Sequence, residues 1–186
     1  MNDLLRSLAP VSAQAWKEID AEATRTLRVL LAARQLVDFN GPLGWDAAAV
    51  SLGRAEKLSP PLQDGGASRM RLVQPLVEIR IPFEIPREEL EAVARGAKDP
   101  DLDAVRNAAR AAAIAEDRAI FQGYEAAGIE GIFRACGSHS LTIPDTFDAY
   151  PDIVAEATHR LRSEGVNGPY GIALGPRCYT GLTRST

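Results

Sequence analysis

Two cysteines and two histidines carry the sharpest chemistry this sequence could offer. Cys136 and His139 stand at C-x-x-H spacing, with His159 and Cys178 further along. Thiolates and imidazoles are the ligand types of tetrahedral zinc. Yet only one pair is close, and a site would need every Cys and His of the chain. Buried thiols and solvated imidazoles account for the same residues. The four could equally furnish a thiolate nucleophile and its base, with Asp145 or Asp152 to orient the imidazole. No helix N-terminus or cluster of cations is in place to lower a thiol pKa. Asp145 follows Pro144 in a turn, and Asp152 falls in the first turn of a helix, where the dipole favours a negative charge.

Other motifs are weaker still. Gly41-x-x-Gly44 and Gly165-x-x-Gly168 lack the spacing and the following Lys-Ser/Thr of a phosphate loop. Glu88, Glu89 and Glu91 read as the solvated face of a short helix. No catalytic constellation emerges, so no enzyme, metal or cofactor is expected.

A more suggestive group lies at the N-terminus. Leu4, Leu5 and Leu8 precede a helix whose stripe includes Trp16, Ile19, Leu27 and Leu30, and could cover or form an apolar groove. Arg34 and Asp38, four apart at the helix end, are spaced to pair with each other.

The bulk numbers narrow the partners. The 186 residues carry 21 Lys plus Arg against 25 Asp plus Glu, a net charge of −4. A nucleic-acid binder concentrates excess cations, so that partner is not expected. Apolar runs such as residues 29–33 are far too short to span a bilayer. The first ten residues contain no apolar signal region. A reducing cytoplasm is the simplest compartment for two cysteines.

The elements that must position these residues follow from periodicity. Ser12 is placed to cap a helix over 13–35, with Trp16, Ile19, Ala23, Leu27 and Leu30 at steps of three and four. Gly41-Pro42-Leu43-Gly44-Trp45 breaks it. From 50 to 85 the chain reads as a long hairpin-like excursion with a turn-rich tip at 59–66. Its far strand is Val77, Ile79, Ile81 and Phe83, alternating with polar residues and Pro82. Such an excursion has no core of its own and needs another surface to lie on.

Pro86 starts a short helix to about Ala94, stopped by Gly96. Asp99-Pro100 opens a third, striped by Leu102, Val105, Ala108, Ala112, Ala115 and Ala119. Gly123 and Gly128 lie just past its end. A fourth helix spans 151–163, residues 170–174 read as a short buried strand, and Pro176 starts a last helical turn. Helix, hairpin, long helix, then helix plus strand is an α+β order.

Residues in this order resemble the encapsulin shell proteins. The resemblance runs through Leu-Ala-Pro at 8–10, Trp16-x-x-Ile19-Asp20, Arg34-x-x-Val37-Asp38 and Gly41-Pro42-x-Gly44-Trp45. It continues through residues 75–80 (PLVEIR), Ala115-Glu116-Asp117-x-x-Ile120-Phe121-x-Gly123, Gly128-Ile129-x-Gly131-Ile132 and residues 164–170 (EGVxGPY).

The resemblance implies a tailed-phage major-capsid-like fold. It would comprise an N-terminal helical arm over 1–45, an extended loop over 46–85, a peripheral domain with a spine helix over 86–134, and part of an axial domain over 135–186. Further axial strands and a pore loop would follow, so the chain is expected to be the N-terminal two-thirds of a subunit, or one half of a split one. Its partners would be many copies of itself, a complementary C-terminal fragment, and a cargo enzyme such as a dye-decolourising peroxidase or ferritin-like protein. The setting would be a closed icosahedral compartment in bacterial or archaeal cytoplasm. A cargo tail would dock at Leu4, Leu5, Leu8, Leu27, Leu31, Arg34 and Asp38. Some members stack a flavin on a surface Trp, but residues 86–90 (PREEL) lack an aromatic, so none is expected here. The competing readings are a Cys/His hydrolase or bacteriocin-like protein, and a stand-alone peptide-binding module.

Overall fold

The computed structural model describes residues 5–184, except the side chain of Ser138. Its first long element, α1 (Ala13–Leu30), starts where Ser12 Oγ accepts a hydrogen bond from Ala15 N at 3.1 Å. The helix ends five residues before the periodicity predicts. The Asp117 carboxylate accepts from the N–H groups of Ala32 at 3.1 Å and Ala33 at 3.0 Å, and a separate 3-10 turn begins at Ala33. A carboxylate from across the molecule thus replaces the helix's own carbonyls as acceptor.

A two-stranded antiparallel hairpin follows, β1 (Ala49–Leu58) with β2 (Ser68–Pro75). The far strand therefore lies earlier than Val77–Phe83. Residues 76–86 belong to no helix and pair with no strand among the described residues, and Pro82 cannot donate to a ladder. Their period of two serves packing instead: Ile79, Ile81 and Phe83 lie along α1 and the long helix.

Short α2 (Arg87–Ala94) ends at Gly96, whose φ of 98° suits glycine. The long α3 (Asp103–Phe121) packs on α1, and Ile19, Leu102 and Val105 form the core with Trp16, Ala23, Ile85 and Leu90 around them. The buried line of α3 is Val105, Ala109 and Ala113, while Ala108 and Ala112 are half-buried on an open groove. Beyond α3, β3 (Gly123–Tyr124) and β4 (Ile129–Glu130) make a minimal ladder. Gly131 is needed there: a Cβ would stand 2.2 Å from Gly123 N.

Downstream, α4 (Ile132–Ala135), α5 (Tyr150–Ser163) and α6 (Pro176–Arg184) are helical. The predicted strand at 170–174 does not form, and Ile172 is 59% exposed. Its alternation needs a pairing strand, and none is offered to it among the described residues. The observed architecture is α+β.

Candidate functional site

The seam between α1 and α3 is the most organised polar feature. Arg34 donates to Glu116 through Nε at 2.6 Å and Nη2 at 2.8 Å, a fork that planar guanidinium suits. This hydrogen bond raises the Arg34 pKa further above its ordinary value. Arg34 therefore pairs with Glu116 and not with Asp38, its expected neighbour. The same guanidinium stacks 4.4 Å from the Phe39 ring. Midway along the seam, Glu22 accepts from Arg25 and from Arg106 Nε at 2.8 Å. Its carboxyl is held below the usual range, chiefly by Arg25. At the other end, Arg6 forks onto Asp20 at 2.6 and 2.7 Å and lies 4.6 Å over Trp16.

Between these ties runs an apolar trough. One part, of about 430 Å³, is bounded by Trp16, Ile79, Ile81 and Phe83. The next, of about 480 Å³, reaches Leu31 and Arg34. Leu27, Ile79 and Ala112 line both. Trp16 Nε1 and Arg6 Nε are buried beside the trough without an acceptor among the described residues, a costly state for donors unless something else supplies oxygen.

Of the expected docking residues, Leu27, Leu31 and Arg34 line this trough. Leu5 and Leu8 are 60% and 77% exposed and line neither part, nor does Asp38. Leu4 lies outside the described residues. Sequence reasoning missed Ile79 and Ile81 as trough walls, although their alternation was visible. It also missed Glu116 as the Arg34 partner; the Glu116–Asp117 pair on the flank of α3 was the available signal.

The cysteines and histidines divide between two places. Cys136 and His139 line a groove of about 500 Å³ with Ile153 and Leu161. Cys178 accepts a hydrogen bond from Tyr150 Oη at 3.3 Å, and both thiols are free. Among the described residues, no three His, Cys, Asp or Glu side chains are grouped to hold a metal ion.

The hairpin is the opposite of the seam. All ten residues of β1 are exposed. Gln74 Nε2 to Ala127 O, 3.0 Å, is its tie to the body. Its surface is part of a larger excess. The chain exposes 14799 Å², whereas a compact monomer of 20.0 kDa exposes about 8,700 Å². Such a surface gives no support to a stand-alone binding module. Large open faces thus lie beside a well-tied seam.

Comparison with known proteins identifies the kind. A family described as "Encapsulating protein for peroxidase" matches residues 1–186. A type 1 encapsulin shell protein of Rhodospirillum rubrum is 52% identical over 191 positions, covering all of this chain and 68% of the relative. Those of Rhodococcus erythropolis and Mycobacterium tuberculosis are 44% and 42% identical, each over all of this chain and 70% of the relative. The chain belongs to the encapsulin shell-protein family. It is a structural shell subunit of a nanocompartment, not an enzyme. No helix among the described residues is long and apolar enough to cross a membrane.

Proposed function

We propose that this shell subunit takes a tailed-phage capsid-like fold and builds a closed icosahedral compartment in bacterial cytoplasm. Residues 1–45 act as the arm, 46–85 as the extended loop lying on neighbouring subunits, 86–134 as the peripheral domain, and 135–186 as part of an axial domain. The observation that carries this reading is the hairpin, exposed along the whole of β1 and nearly untied from its own chain. A ribbon without a core is not stable alone, so a neighbour's surface accounts for its form. A complementary C-terminal fragment as a partner is part of the proposal. The test is particle mass by light scattering with negative-stain imaging, for the chain alone and with the C-terminal part of a relative added in trans. Megadalton closed particles are expected in at least one preparation. Small species in both would overturn the reading.

The interior function proposed is capture of a cargo enzyme's tail, from a dye-decolourising peroxidase or a ferritin-like protein, in the α1–α3 trough. Leu27, Leu31 and Arg34 on its walls support this, as do the two donors without an acceptor among the described residues. An extended apolar peptide brings side chains for the trough and carbonyl oxygens for the donors. Leu5, Leu8 and Asp38 flank the dock in this proposal. Leu27→Arg should reduce co-purified cargo at least about tenfold while particles still form; unchanged loading would remove the trough from the proposal.

A further inference from the structure

The register of the hairpin sorts its side chains by charge. Lys57 stands opposite Arg69, and Ala55 opposite Arg71. Directly opposed residues share a face, and so do alternate residues of one strand. Lys57, Arg69 and Arg71 therefore form a cationic cluster on one face of the ribbon. Val50, Leu58, Met70 and Leu72 fall on the other face. All three cations are exposed, and none has an ion-pair partner among the described residues. Like charges directly opposite each other oppose strand pairing. Among the described residues no carboxylate pairs with these cations to offset that opposition.

The matching charge lies elsewhere on the same chain. Between 49 and 75, bases outnumber acids four to two; between 84 and 103, acids outnumber bases seven to three. The second run is gathered locally, because Glu89 accepts from Asp101 N at 3.0 Å and so draws the 99–101 turn beside the first turn of α2. Glu84, Glu88 and Asp99 are exposed there without ion pairs among the described residues. The hairpin makes no hydrogen bond or ion pair to this patch in its own chain, again among the described residues.

We infer that the cationic face of one subunit's hairpin docks on the acidic α2 patch of a second copy. This rests on the shell-subunit reading and adds to it the contacting face, the receiving patch and a salt-sensitive chemistry. A second copy is favoured over nucleic acid because the acceptor is encoded in the same chain, whose net charge is −4.

The test uses the preparation that forms particles. Lys57→Glu, Arg69→Glu and Arg71→Glu together should raise the concentration needed for assembly at about 50 mM salt by roughly tenfold or more. The acidic patch reversed alone, Glu84→Lys, Glu88→Lys and Asp99→Lys, should be similarly impaired. Combining both sets should restore assembly to within about threefold of the parent, and about 1 M salt should shrink every difference. Circular dichroism of the unassembled chains controls for folding. If the parent forms no particles, the shell-subunit reading fails first. If the parent assembles and the hairpin variant matches it, or the combined chain does not recover, the docking inference alone is overturned. Nucleic acid in the particles, with assembly lost on nuclease treatment, would also overturn it.

Discussion

The α1–α3 seam and the hairpin are built from similar residue types and use them in opposite ways. On the seam, Arg34, Arg106 and Arg6 each meet a carboxylate, and the apolar residues between them are covered. On the hairpin, Lys57, Arg69 and Arg71 meet none among the described residues, and Leu58, Met70 and Val50 stay 40–48% exposed. One region is paired and packed within the chain; the other is exposed along the whole of β1. Stability of the unassembled chain should therefore be concentrated in the seam, and assembly should be sensitive to the hairpin.

The comparison would break most visibly at Val105, 2% exposed in the centre of the core. Val105→Asp buries an unpaired charge and should cost more than about 4 kcal/mol, abolishing cooperative thermal unfolding. Retention of a melting transition would show that the seam is not the seat of stability. Next in size is Asp117→Ala, which strips the acceptor from two backbone N–H groups and should cost about 1–3 kcal/mol by denaturant titration.

A smaller effect sharpens the electrostatic side. Glu22 is held below the usual carboxylate range in the folded chain, so the folded state binds fewer protons there than the unfolded state. Its contribution is present above the unfolded value of about 4.3 and fades as pH falls through the depressed folded value. The stability gap between the parent and Glu22→Gln should therefore close on acidification; a gap constant from neutral pH into that range would refute the assignment. Least of all, Met70→Ser on the hairpin should change the melting of the unassembled chain by less than about 0.5 kcal/mol, as expected for an exposed site.

Local signals in the sequence were read well where local chemistry decides. Ser12 caps α1, Pro86 and Gly96 bracket α2, and Pro151 opens α5 close to the expected position. The errors share one physical source. α1 ends where Asp117 supplies acceptors, and Asp117 is 85 residues from Ala32. Residues 170–174 have strand-forming side chains but no strand to pair with among the described residues. Val77–Phe83 alternate as a strand should, yet Pro82 and the open α1–α3 face direct that alternation into side-chain packing. The trough was half legible: Leu27 and Leu31 stand in the helical stripe, while Glu116 and Ile79 belong to it only through the tertiary fold.

The Asp117 contact also has a meaning in time. A ribosome adding about 5–20 residues per second needs roughly 4–17 s to go from Ala32 to Asp117. Until then the nascent arm lacks the carboxylate that ends its helix, and its own apolar periodicity favours continuing to about residue 35. The arm therefore takes its final shape only when α3 has been made. Translation order thus delays the formation of the trough.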